Sequence, residues 1–85
     1  MRAKDLKELL DHRPFEPLRF HISSGDYIDV RHPEMVLLSS SMVFFAIKFV
    51  RGLLQKFAWY SLVHVVKVEP LRSAKRMGHR RQRRA

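Results

Sequence analysis

Seven cations crowd the carboxyl end of the chain. Arg72, Lys75, Arg76, Arg80, Arg81, Arg83 and Arg84 fall within the last fourteen positions, and no Asp or Glu stands among them. Arginine suits a polyanion because its planar fork donates to phosphate in two places and stays charged at any working pH. Met77 is the one sizeable apolar side chain of this stretch. Such a segment cannot bury enough surface to order itself, so residues 72–85 are predicted to be a mobile arm. Six of the cations recur at three- and four-residue spacing, which predicts a helix in the bound arm. A solubilising tail is the bland alternative.

The other reactive side chains are scattered. His12, His21, His32, His64 and His79 sit on separate segments with no i, i+4 pair, and there is no cysteine to complete a zinc site. His21 is expected to meet Asp29 or Arg31 across a hairpin, and His32 to fix a bend before Pro33. Serines concentrate at Ser23–Ser24 and Ser39–Ser41, with no base beside them in a sheltered setting. Gly25, Gly52 and Gly78 stand alone, so no phosphate-cradling loop is present. These residues predict no catalysis, no metal, no cofactor and no small-molecule substrate. Among Tyr27, Phe44, Phe45, Phe57, Trp59 and Tyr60, some would serve as a stacking platform for bases, but most are read as core. Tyr27 is the one expected outside, with Arg19 and Arg31 close by as further nucleic-acid contacts.

Composition sets the frame in which these residues work. The 85 residues leave room for one small domain, and 46% apolar content is too high for full disorder. Of the +9 formal charge, the last fourteen residues carry seven and the body only two. A body over residues 1–71 and a basic tail over 72–85 is the expected division. Without cysteine no disulfide framework forms, and the expected compartment is a reducing cytoplasm. Met1–Leu10 has charges where a secretory signal needs an apolar run, which argues against export. Met35–Val50 is too short and too polar to read as a membrane span.

The spacing of apolar residues then predicts the elements. Asp5–His12 is helical, with Leu6, Leu9 and Leu10 on one face, and it stops before Pro14. Phe15, between Pro14 and Pro17, should plug this helix onto the domain. Leu18, Phe20 and Ile22 alternate with polar residues as a half-buried strand, and Gly25 supplies the turn into a second strand at Ile28 and Val30. That second strand is read as long and bent at Pro33–Glu34, continuing to Leu38. Residues 42–60 form a second hairpin turning at Arg51–Gly52, in preference to a continuous helix, because β-branched and aromatic residues crowd the stretch. A 3₁₀ turn at Ser61–His64 and a last strand at Val65–Glu69 complete the pattern. The expected fold class is mainly β (α+β): an N-terminal helix followed by a five-stranded antiparallel small barrel, since closure removes exposed edges.

That order of elements resembles the Sm-like barrel of bacterial Hfq and the Sm proteins, over residues 4–70. The residues carrying the likeness are Ser24-Gly25-Asp26, Val30–Leu38 and the closing Val65-Val66-Lys67-Val68-Glu69-Pro70. Where Hfq has a Lys-His pair that helps bind uridine at its ring centre, this chain has Leu62-Val63. More closely, the chain is similar to short bacterial proteins of unassigned activity carrying Arg13-Pro14-Phe15-Glu16-Pro17, then Val30-Arg31-His32-Pro33-Glu34, then Leu62–Pro70. The first resemblance implies subunits that pair edge strands in a ring. The apolar second half, from Phe44 to Trp59, independently exceeds what one small barrel hides and predicts a homo-oligomer. The expectation is therefore a self-associating module that binds RNA or DNA, RNA favoured, through phosphate contacts. A protein-interaction module whose tail merely solubilises it is the alternative, with an anionic membrane surface third.

Overall fold

A computed structural model describes residues 2–77. The amino-terminal helix α1 (Ala3–Asp11) buries Leu6 and Leu10, four residues apart on one stripe. Leu9, expected on the same face, is 40% exposed. Beyond α1 the chain bends at Arg13–Pro14, where the peptide bond is cis, and Phe15 is partly buried against the core as expected.

Strands β1 (Leu18–Ile22) and β2 (Tyr27–Val30) form the first hairpin, antiparallel with Phe20 opposite Ile28. Gly25 makes its turn at φ 100°, a conformation that side-chain-bearing residues rarely adopt. The long bent strand divides in two. Pro33 has no amide hydrogen to give to a ladder, and Pro33–Met35 winds into a 3₁₀ turn closed by the Met35 amide donating to the His32 carbonyl at 3.0 Å. The chain resumes as β3 (Val36–Leu38), which belongs to a different sheet.

The second hairpin joins β4 (Met42–Val50) to β5 (Leu53–Ser61). Its apex has φ 54° at Arg51 and 80° at Gly52, two positive angles in succession, which suit the right-handed twist of a two-residue hairpin. A 3₁₀ turn at Leu62–His64 leads to β6 (Val65–Pro70), which pairs with β1. Helix α2 (Leu71–Met77) follows directly.

The barrel expectation needs correction. Six strands form two three-stranded antiparallel sheets, ordered β2-β1-β6 and β3-β4-β5, and among the described residues no ladder closes them into a barrel. The two 3₁₀ turns are the cause: each ends a ladder at the point where the chain changes sheet. Phe20 and Phe45, both fully buried, meet between the sheets edge to face at 5.1 Å, and α1 closes the core through Leu6 and Leu10. Among the described residues nothing pairs with the outer strands of either sheet, and nothing covers the outer face of the second.

Among the described residues no helix is long and apolar enough to cross a membrane. The expected division between Leu71 and Arg72 falls inside α2, where Leu71 and Ala74 are buried at 3% and 4% exposure. The first residues of the basic stretch are thus folded onto the body. The Leu71 amide donates to the Pro17 carbonyl at 2.9 Å, anchoring the start of α2 beside β1.

Candidate nucleic-acid interface

Two of the cations singled out in the sequence come together. Arg31, just beyond β2, and Arg72, in the first turn of α2, line one open groove of about 520 Å³ floored by Pro14, Phe15 and Pro17. The proline-held segment after α1 makes one wall and α2 the other. Arg72 also meets Glu16 at 2.9 Å, its exposed guanidinium lying against a carboxylate oxygen that has almost no open surface of its own. Arg31 is exposed and joins no ion pair among the described residues. Lys75 and Arg76 lie farther along α2. Arg80, Arg81, Arg83 and Arg84 lie outside the described residues, as does most of the arm expected over 72–85.

Arg19 is arranged differently. It lies on the outer face of the first sheet, and its Nε–H donates to Asp29 Oδ1 at 2.7 Å while its Nη2–H donates to Oδ2 at 3.1 Å. These hydrogen bonds hold its guanidinium above its ordinary pKa despite the opposing effect of burial. The same group lies 3.9 Å from the centre of the Tyr27 ring, so one face of that ring is covered. Tyr27 is exposed, as expected, but it serves Arg19 as a platform rather than standing free. A guanidinium forked onto a carboxylate and stacked on a ring holds a sheet face together and has little left for phosphate.

His21 finds neither Asp29 nor Arg31. The strand pairing sets β1 between β2 and β6, and His21 Nε2–H donates to Glu69 Oε2 on β6. Burial alone would raise the Glu69 carboxyl. The His21 hydrogen bond and the charge of Lys67, 3.7 Å away, outweigh that effect and hold it below its ordinary value. Ser23 and His64 share an exposed hydrogen bond, Oγ to Nδ1 at 3.0 Å, that ties the first hairpin turn to the second 3₁₀ turn. Among the described residues no three acidic or histidine side chains converge as metal ligands.

The aromatic residues correct the sequence reading most. Phe45 is core, but Phe57 is 54% and Trp59 66% exposed. Register explains it: Leu37, Phe44 and Trp59 stand opposite one another across β3, β4 and β5, while the alternate positions Val43 and Phe45 turn inward. Between Glu34 and Glu69 there is no acidic residue, yet Lys48, Arg51 and Lys56 interrupt the apolar run.

No protein-family model, curated protein or solved structure matches the chain.

Proposed function

We propose that this chain is a small self-associating module that binds nucleic acid, RNA favoured over DNA, through phosphate contacts with little sequence preference. The observation that carries it is the run of seven basic and no acidic residues over 72–85. The Arg31–Arg72 groove supports it, because it joins the first cation of that run to a second one on the fold. Arg31, Arg72, Lys75, Arg76, Arg80, Arg81, Arg83 and Arg84 are the phosphate-binding residues of this reading. Arg19 and Tyr27 support the sheet instead. Self-association rests on the open, apolar β5 edge, and it multiplies affinity by presenting several basic segments to one polyanion. The reading includes a cytoplasmic setting, where RNA is at hand, and assigns no enzymatic step.

The test is a fluorescence-anisotropy titration of labelled single-stranded RNA and duplex DNA across a range of salt. If seven cations engage a single strand, log affinity falls with log salt at a slope of about −5. Replacing Arg80, Arg81, Arg83 and Arg84 by Gln should lessen that slope by roughly 3 and weaken binding at low salt. Absence of binding at low salt would refute the proposal. It would favour the protein-interaction reading, for which the exposed apolar residues of β5 are the supporting observation.

A further inference from the structure

The groove between the proline-held segment and α2 offers more than charge. Its apolar lining is Pro14, Phe15, Pro17 and Leu71, of which all but Leu71 are rings with flat faces. Phe15 packs against the core yet keeps part of its surface for the groove. At about 520 Å³ the groove is of the size that seats a small ligand, commonly ~300–1,000 Å³. Its lining comes from three places in the chain, so only the fold assembles it.

Hydrogen bonding says what chemistry this groove accepts. Glu16 already lies against Arg72. The neutral His12 ring spends its one N–H on the Pro14 carbonyl, Nδ1 to oxygen 3.2 Å. The donors left over belong to two guanidiniums. Arg72 meets Glu16 through Nη1 and keeps the rest of its fork, with its side chain 72% exposed, and Arg31 is exposed as well. An anion with a flat apolar part satisfies both features, its charge at the arginines and its ring over Phe15. The chain beyond the groove narrows the class further. Arg72 opens the basic run, and Lys75 and Arg76 follow within one turn of α2. A ligand that carries further phosphates along its length is met by these cations, and a lone carboxylate is not.

We propose that this groove seats one nucleotide of a single strand, with its base laid over Phe15 and its phosphate held by Arg31 and Arg72. This rests on the nucleic-acid reading above and adds a base contact to it. In a duplex the base is stacked between its neighbours and presents only its edges, so the seat favours single strands. Every base has a flat face, and the contact therefore carries little sequence preference.

The full-length protein, isotope-labelled for nuclear magnetic resonance, is titrated at low salt with uridine monophosphate and with inorganic phosphate, which has the charge but no base. Uridine monophosphate should shift the amide signals of Phe15, Glu16 and Arg72 and the Nε signal of Arg31 along one saturation curve. Inorganic phosphate should shift the two arginines and leave the Phe15 amide in place. Phe15→Leu keeps an apolar side chain against the core but removes the ring. It should weaken uridine monophosphate roughly fivefold and inorganic phosphate not at all. Arg31→Gln, at an exposed position, should weaken both roughly fivefold. Circular dichroism checks that the variants fold. An oligouridylate should move the same signals as the mononucleotide. Equal shifts of the Phe15 amide by the two small ligands overturn the base seat while leaving phosphate binding intact. So does a folded Phe15→Leu variant with unchanged affinity for uridine monophosphate, or an oligouridylate that binds yet spares Phe15 and Arg31. Absence of oligouridylate binding overturns the seat together with the reading beneath it.

Discussion

Arg19 shows how a cation's role depends on its neighbours. By residue type it matches Arg31, and the strand pattern predicts both near Tyr27. Yet Arg19 is forked onto Asp29 with its side chain 13% exposed, and Arg31 stands open at the groove. Arg19→Gln should therefore lower stability by about 1–3 kcal/mol in chemical denaturation, the range for a charge-assisted hydrogen bond lost from a partly buried site. RNA affinity should change little, whereas Arg31→Gln should do the reverse. Glu69 gives a prediction in pH. Its folded pKa lies below the ordinary value of 4.5, so it contributes stability that is fully present above that value and lost as pH falls through the folded one. Glu69→Gln should remove this part of the acid sensitivity, read as a shallower fall of the denaturation midpoint below pH 4.5.

At the scale of elements, local chemistry carried most of the outcome. Alternation located β1, and the crowding of β-branched and aromatic residues located β4. Gly25, and Gly52 after Arg51, located both tight turns, because a positive φ strongly favours glycine at a hairpin apex. Nothing lies within 4 Å of a side-chain carbon built at Gly25, so Gly25→Ala is opposed by backbone strain alone. It should cost about 1–2 kcal/mol, measured by thermal or urea unfolding, without altering the core. Where reading failed, two local rules competed. The apolar run after Pro33 fitted both a bent strand and a fresh one. The 3₁₀ turn resolves it, since a proline cannot donate to the ladder that a continuous strand would need.

For the whole molecule, the uncovered surfaces matter most. β5 is an edge strand, and the hairpin that ends in it exposes Phe49 at 57% and Leu53 at 67%. Edges of this kind are usually blunted by charge or covered by another chain. The chain should therefore sediment as an oligomer, in a concentration-dependent manner. Leu53→Glu, which places a charge beside the open edge, should shift it toward monomer with its circular dichroism unchanged. If that variant also binds RNA more weakly at unchanged salt slope, avidity is the link between assembly and function.

The basic stretch, the missing cysteine, the helix before Pro14 and the glycine turns follow from residue type and short-range spacing, so they are legible without a fold. The groove uniting Arg31 with Arg72, the engagement of Arg19 by Asp29 and of His21 by Glu69, and the outward turn of Phe57 and Trp59 are of another kind. Each depends on which strands become neighbours and in what register, and a shift of one residue would exchange the inner and outer faces of β5. Pairing between distant segments is a property of the packed core, where Phe20 of one sheet meets Phe45 of the other. No periodicity within one strand contains that pairing.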